Sequence, residues 1–124
     1  MSTKTIKVGI LSWKEYQERT LAIARGKFKP KPSDPKIYFP SLKVAGEILS
    51  EKNLELLRVI ATRKPGSISE LAPMVRRAQP NLTRTLRKME QYGLIDMVPE
   101  GKAVRPVAKA GNVRVEADFN LATA

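Results

Sequence analysis

Residues 80–95 read PNLTRTLRKMEQYGLI, and this stretch decides the fold of the chain. Leu82, Leu86 and Met89 recur at the i, i+4 and i+7 spacing of one helix face, so we predict an amphipathic helix that turns them inward. Proline is favoured at the first position of a helix, and glycine ends a helix by adopting a left-handed conformation. The stretch therefore predicts a helix from Pro80 to about Tyr92, with Gly93 as its stop.

The opposite face of this predicted helix is polar and basic. It carries Asn81, Arg84, Arg87, Lys88 and Gln91, with Thr83 on the flank and Glu90 toward the side. A face that is only solvated more often mixes acids with lysines in i,i+4 pairs. The separation of charge favours contact with a polyanion, and a soluble surface helix is the plainer alternative.

Two further helices are predicted before this one. Ser50 has the position of an N-cap, and an apolar stripe follows it until Lys64-Pro65-Gly66 ends the helix. The next helix begins after residues 67–69. Ser67 has the spacing of a capping box with Glu70, but Ser69 is the predicted cap because it places Pro73 in the first turn, where a missing N–H costs little.

A β-hairpin is predicted after the third helix. Residues 94–98 alternate as a strand, residues 99–102 form a turn, and residues 103–108 and 113–119 alternate again. Three short helices and a hairpin are the parts of a winged helix-turn-helix, an α+β fold. In that fold the third helix fills the major groove of DNA, which is about 12 Å wide, and the second helix braces it.

Roles for individual residues follow from this geometry. The predicted DNA contacts are Gln79, Asn81, Thr83, Arg84, Arg87, Lys88, Arg76, Arg77, Lys102 and Arg105. Arg84 is the preferred contact to guanine, and Asn81 or Gln79 the contact to adenine. Arg87 and Lys88 are assigned to phosphates.

The remaining predicted contacts have open alternatives. Arg76 and Arg77 are phosphate contacts, or a basic helix end that complements the helix dipole. Lys102 and Arg105, in the hairpin, are assigned to phosphate or the minor groove.

The first 49 residues form a separate predicted unit. It contains a strand from Thr3 to Ile10, a helix capped by Ser12 and Glu15, and a lysine- and proline-rich connection. A strand at residues 37–39, which we expect to pair with the first strand, and a short helix capped by Ser41 follow. Trp13 and Tyr16 share a helix face and are assigned to core or dimer contacts, with base stacking as the alternative. We thus divide the chain into residues 1–49 as a dimer or partner surface, 50–119 as the DNA-binding domain, and 120–124 as a flexible tail.

The composition favours some classes of function over others. The chain of 124 residues has 23 Lys and Arg against 12 Asp and Glu, a formal charge of +11 that favours a polyanionic partner. It has no Cys and no His, which removes thiol chemistry, thiolate zinc sites and the commonest general base. We predict neither an enzyme nor a cofactor. No apolar run is long enough for a membrane span, and no signal peptide is recognisable, so a cytoplasmic location is expected.

Two segments carry a resemblance to a known family. Ser69-Glu70-Leu71-Ala72 and residues 81–95 resemble the signature of MarR- and ArsR-like winged-helix regulators. The resemblance implies that Leu82 is buried, that Thr83 and Arg84 face DNA, and that residues 93–95 turn into the wing. Pro73 and Pro80 depart from the generic pattern.

The flanks, including residues 38–41 and 48–57, resemble short prokaryotic winged-helix proteins that are encoded beside a toxin and act as antitoxin and autorepressor. The leading interpretation is a homodimeric, sequence-specific repressor on a pseudo-palindromic operator. One alternative is a protein-interaction module that neutralises a toxin and binds DNA secondarily. Another is a non-specific architectural DNA-binding protein.

Overall fold

The computed structural model describes residues 4–122, which form five helices and five strands. The strands are β1 (Thr5–Ile10), β2 (Ile37–Phe39), β3 (Ile95–Glu100), β4 (Ala103–Ala108) and β5 (Asn112–Glu116). The helices are α1 (Trp13–Ala24), α2 (Leu42–Ile48), α3 (Glu51–Arg63), α4 (Ile68–Val75) and α5 (Gln79–Gln91). The predicted mixed α+β class is confirmed. Thr3, predicted as the first strand residue, and residues 123–124 of the predicted tail lie outside the described residues.

A parallel sheet joins the two ends of the chain. Its strand order is β2-β1-β5, with Val8 beside Ile37 on one side and beside Val115 on the other. Because β1 and β2 are parallel neighbours, the chain must cross back from the end of β1 to the same edge of the sheet at which β1 began. Helix α1 lies in this crossover connection. The pairing of β2 with β1 agrees with the prediction. Strand β5 belongs to the predicted unit 50–119 but pairs with β1 of the predicted unit 1–49.

The second sheet is the predicted hairpin. Strands β3 and β4 are antiparallel, with Ile95 beside Ala108 and Glu100 beside Ala103. Gly101 has a φ of +63°, as the turn between the strands requires. The hairpin packs on α5 through β3 and on α3 and α4 through β4.

Helix α4 corrects the prediction of its cap. Ser67, not Ser69, is the N-cap, and its Oγ accepts a hydrogen bond from the backbone N–H of Glu70 at 3.0 Å. Starting at Ile68 lets both Ile68 and Leu71 be buried, and this apolar burial outweighs the single backbone bond that Pro73 removes within the helix. Helix α5 likewise begins one residue earlier than predicted, at Gln79, with Ala78 as a cap that makes no side-chain hydrogen bond.

One core holds both sheets and the helices together. Val8 and Phe39 of the parallel sheet are fully buried in the same cluster as Leu56 of α3 and Leu82 of α5. The Phe39 and Tyr92 rings lie 4.7 Å apart, which places the end of β2 against the end of α5. Gly93 has a φ of +78°, a left-handed conformation that favours glycine at the end of α5.

Helix α1 lies outside this core. The capping box is formed as predicted, because the N–H of Glu15 donates to Ser12 Oγ at 3.1 Å and the N–H of Ser12 donates to Glu15 Oε1 at 3.0 Å. No residue of α1 is buried, and the Trp13 side chain is 69% exposed. The core alternative for Trp13 is therefore wrong, because its ring stacks on Tyr16 at the surface of α1. Within residues 4–122, no helix has the length and apolar character of a membrane span.

Candidate nucleic-acid interface

Helix α5 turns its two faces as the sequence predicts. Leu82 and Leu86 are fully buried and Met89 is 1% exposed, so the apolar face packs inward. Asn81, Arg84, Arg87 and Lys88 are all exposed on the other side. Arg84, Arg87 and Lys88 line one shallow surface groove together with Pro80 and Gln91.

Glu90 is the only acid in α5, and a hydrogen bond directs it away from this basic face. Its Oε2 accepts from the backbone N–H of Met97 in β3 at 2.8 Å. The carboxylate therefore ties α5 to the hairpin. A second acid, Glu47 of α2, lies at the edge of the face, where it lines a hollow with Thr85 and Lys88.

The first turn of α5 is tied to α4. The Ser69 hydroxyl donates to Gln79 Oε1 at 3.2 Å. Gln79 is exposed, as Asn81 is, but its amide oxygen already accepts a hydrogen bond within the chain. Thr83 is half-buried on the flank of the helix, between the basic face and the core.

The two arginines of the turn between α4 and α5 are placed differently. Arg76 ends α4 with a φ of +55° and is exposed. Arg77 is half-buried, and its Nη2 donates to the backbone oxygen of Lys52 at 2.9 Å and to Asn53 Oδ1 at 3.0 Å. Burial lowers the pKa of Arg77, and among the buried polar side-chain atoms of residues 4–122 its Nε has no hydrogen-bond partner. The guanidinium is therefore committed to holding the turn against α3.

Asn53 is a positioning residue that the sequence does not predict. Its Nδ2 donates to the backbone oxygens of Glu47 at 3.3 Å and Ile48 at 3.1 Å. With the bond from Arg77, one side chain connects the end of α2, the start of α3 and the turn before α5. The sequence signals only its position three residues after the Ser50 cap, where its backbone N–H donates to Ser50 Oγ.

The two predicted contacts in the hairpin differ in their exposure and in their bonding. Lys102 is exposed at the tip, beside Gly101. Arg105 lies on β4, where its Nε donates to Glu100 Oε2 at 3.0 Å. The structure thus brings the predicted contacts of α5 together on one face. Lys102 is exposed at the hairpin tip, whereas Arg105 is ion-paired and Arg77 is turned inward.

Chemically, this surface can bind anions and the edges of bases. Guanidinium and ammonium groups bind phosphates, and guanidinium and amide groups form paired hydrogen bonds with base edges. Within residues 4–122, no group of three Asp or Glu side chains is placed to hold a metal ion.

Comparison with known proteins gives two matches of different weight. A solved structure described as the predicted DNA-binding transcriptional regulator from E. coli aligns with 77% of this chain and 84% of its own, with a TM-score of 0.47 and 16% sequence identity. No curated protein matches. The model of the HVO_A0114 family matches residues 48–115, which run from the end of α2 into β5 and include α3, α4, α5 and the hairpin. This match spans more than half of the sequence, and the chain belongs to the HVO_A0114 family.

Proposed function

We propose that this protein is a sequence-specific, double-stranded DNA-binding transcriptional regulator with a winged helix-turn-helix fold. The observation that carries the proposal is the exposed face of α5, where Asn81, Arg84, Arg87 and Lys88 lie behind a fully buried apolar face. At about 1.5 Å per residue, the 13 residues of α5 extend about 20 Å, a length that can lie in a major groove.

The chemistry of each side chain suggests its role on DNA. Arg84 can pair with guanine and Asn81 with adenine through two hydrogen bonds each, and both belong to the first half of α5. Arg87, Lys88 and Arg76 are exposed cations suited to phosphates. The hydrogen bond from Ser69 to Gln79 favours Asn81 over Gln79 as the contact to adenine.

Arg77 has a different role in this proposal. Its two hydrogen bonds to α3 suit a residue that positions the turn, rather than a phosphate contact. Lys102, at the tip of β3–β4, is the hairpin residue best placed to reach a phosphate.

The decisive experiment measures binding of Arg84→Ala and Arg87→Ala to a DNA sequence selected by the wild-type protein and to random DNA. We expect Arg84→Ala to lose about 1–3 kcal/mol on the selected DNA and much less on random DNA, because it removes a base contact. We expect Arg87→Ala to weaken both equally. Arg25→Ala is a matched control, since Arg25 is exposed at the end of α1, outside the predicted DNA-binding domain.

Two results would contradict the proposal. Equal losses for Arg84→Ala on both DNAs would show that Arg84 does not read a base. If selection enriches no sequence at all, the architectural alternative replaces the proposed function.

A dimeric repressor that also acts as an antitoxin is the more specific form of the proposal. An operator with two-fold symmetry requires a two-fold dimer, and a regulator of this kind acts in the cytoplasm. The resemblance to MarR- and ArsR-like regulators and to toxin-linked antitoxins stays a prediction, as does the division of the chain at residue 49.

Helix α1 favours a second candidate function, binding of a protein partner by residues 1–49. Trp13 and Tyr16 stack with ring centroids 6.4 Å apart, and both are exposed, at 69% and 43%. The surrounding sequence is rich in lysine, which suits an acidic partner such as a toxin. Co-purification with the product of the neighbouring gene tests this function. Trp13→Ala should abolish co-purification while leaving DNA binding unchanged. If the Trp13→Ala variant still retains the partner, this second function is contradicted.

A further inference from the structure

Strand β5 has an open edge. It pairs with β1 on one side, and among residues 4–122 no other strand joins its second side. The N–H of Asn112 donates to the backbone oxygen of Lys4, toward β1, at 3.2 Å. Because successive residues of a strand point their backbone groups in opposite directions, those of Val113 and Val115 face the open edge.

The apolar alternation of β5 continues past the end of the strand. The sequence predicts one strand over residues 113–119, but β5 ends at Glu116. The pairing with β1 stops at Gly9 beside Glu116, since β1 ends at Ile10 and the chain turns into α1. Residues 117–119 therefore keep a strand-like pattern without a strand to pair with, and Phe119 is 63% exposed.

We propose that β5 pairs antiparallel with β5 of a second copy of this chain, about a two-fold axis that passes beside Val115. This inference rests on the dimer in the proposed function and names its interface. Each Val115 then lies opposite its equivalent, and each Val113 lies opposite Ala117 of the second copy. Both chains present the same surface, as a two-fold interface requires.

Charge selects this register. With Val115 on the axis, Arg114 of each copy lies opposite Glu116 of the other, which gives two pairs of opposite charge. A register with Arg114 on the axis uses the same outward backbone groups but sets two arginines against each other. Glu116 is held on this face of the sheet by Lys7, whose Nζ lies 3.5 Å from its Oε1.

The same register gives Phe119 a binding site. Residue 119 of the second copy lies opposite Gly111, on the face of the sheet that carries Val113. There a concavity of about 230 Å³ separates α3 from residues 110–113, and its apolar lining includes Leu54, Leu57, Ala61 and Val113. The exposed phenyl ring of each copy would fill this concavity in the other, so the most exposed aromatic residue near β5 becomes buried.

A charge exchange tests the register with the full chain in the absence of DNA. We expect the wild type to have twice the 13.8 kDa mass of one chain in sedimentation or light scattering. Arg114→Glu alone places acids opposite acids, and Glu116→Arg alone places bases opposite bases, so each should weaken dimer formation at least about tenfold. An equimolar mixture of the two variants should form a heterodimer, because every opposed pair then has opposite charges.

Single cysteines provide a second measurement, since the chain has no cysteine of its own. At a hydrogen-bonded pair on the axis the two Cα atoms of residue 115 lie about 5.5 Å apart, within the range for a disulfide. The two Cα atoms of residue 113 lie about 14 Å apart in the same register. Oxidation should therefore link Val115→Cys into dimers and leave Val113→Cys unlinked.

A monomeric wild type, a dimeric Arg114→Glu variant, or linking of Val113→Cys as fast as Val115→Cys would overturn the proposal. If a charge variant fails to fold, the comparison of the two cysteine variants decides the matter alone. Because none of these measurements uses DNA, a dimer that binds no DNA would reject the proposed function and leave this interface standing. A monomer that binds DNA would reject this interface and leave DNA binding standing.

Discussion

Arg77 Nη2 lies 3.0 Å from Asn53 Oδ1, so the turn before α5 is hydrogen-bonded to the first turn of α3. The same arginine reaches the backbone oxygen of Lys52, and Asn53 reaches two backbone oxygens at the end of α2. The orientation of α5 therefore depends on a polar junction as well as on the apolar core. None of the residues in this junction is itself a proposed DNA contact, although Asn53 lines the hollow beside Lys88 at the edge of the basic face.

Asn53→Ala should destabilise the fold by about 1–3 kcal/mol, because it leaves two carbonyl groups and an arginine short of partners. Chemical denaturation measures the change. Thr62→Ala is the control, since Thr62 is an exposed residue of the same helix whose hydroxyl donates to the backbone oxygen of Arg58 within that helix. We expect the control to shift stability by no more than about 0.5 kcal/mol. An equally small effect of Asn53→Ala would mean that the junction adds nothing to stability.

Leu86→Ala should cost about 2–5 kcal/mol, because Leu86 is fully buried and its truncation leaves a cavity beneath α5. Leu42→Ala makes the same chemical change at a side chain that is 55% exposed, and its cost should stay within about 0.5 kcal/mol. Thermal or urea unfolding distinguishes them. Similar losses for the two variants would contradict the placement of Leu86 in the core.

Lys102→Ala should reduce the salt dependence of DNA binding. If the hairpin tip meets one phosphate, the slope of log K against log salt concentration becomes shallower by about 0.9. Lys109→Ala removes a lysine that follows the same hairpin but lies 3.4 Å from Asp96 in an ion pair, so its slope should stay as in the wild type. Titrations at several salt concentrations measure both slopes. Unchanged binding in Lys102→Ala would place the hairpin tip away from DNA.

Tyr38 should make the fold sensitive to alkaline pH. Burial raises the pKa of Tyr38 above its ordinary value of 10.0, and the negative charge of Asp34 and the neighbouring Tyr16 add to this shift, although the charge of Arg19 opposes it. A raised pKa in the folded state means that the stabilisation is complete below the unfolded pKa and is lost as pH rises through the folded pKa.

The measurement compares unfolding free energies of the wild type and Tyr38→Phe between about pH 9 and pH 11. The wild type should lose stability more steeply than the variant, which has no phenol to ionise. If the two curves are parallel, the ionisation of Tyr38 is not coupled to folding.

Local sequence signals were sufficient for most helices and for the hairpin. The buried stripe Leu82, Leu86 and Met89 and the capping box of Ser12 with Glu15 lie in the structure where the sequence predicts them. The predicted turn at residues 99–102 is shorter in the structure, because Pro99 and Glu100 continue β3 and pair with β4, which leaves residues 101–102 as the turn. Each of these signals involves residues within a few positions of one another, so periodicity and backbone geometry suffice to find them. The acid-free face of α5 was visible for the same reason.

Only the tertiary structure decided which distant segments meet. The pairing of β1 with β5, the inward turn of Arg77 toward Asn53, and the bond from Met97 that draws Glu90 off the basic face all join residues that no local pattern connects. The tertiary structure also decides that Ser67, not Ser69, is the N-cap of α4. The burial of Ile68 and Leu71 outweighs the loss of the backbone hydrogen bond that Pro73 cannot form inside the helix. Residues 80–95 by themselves determined that α5 has a buried and a basic face. The fold decided which of its predicted contacts stay exposed, since that depends on hydrogen bonds and apolar burial between elements far apart in the chain.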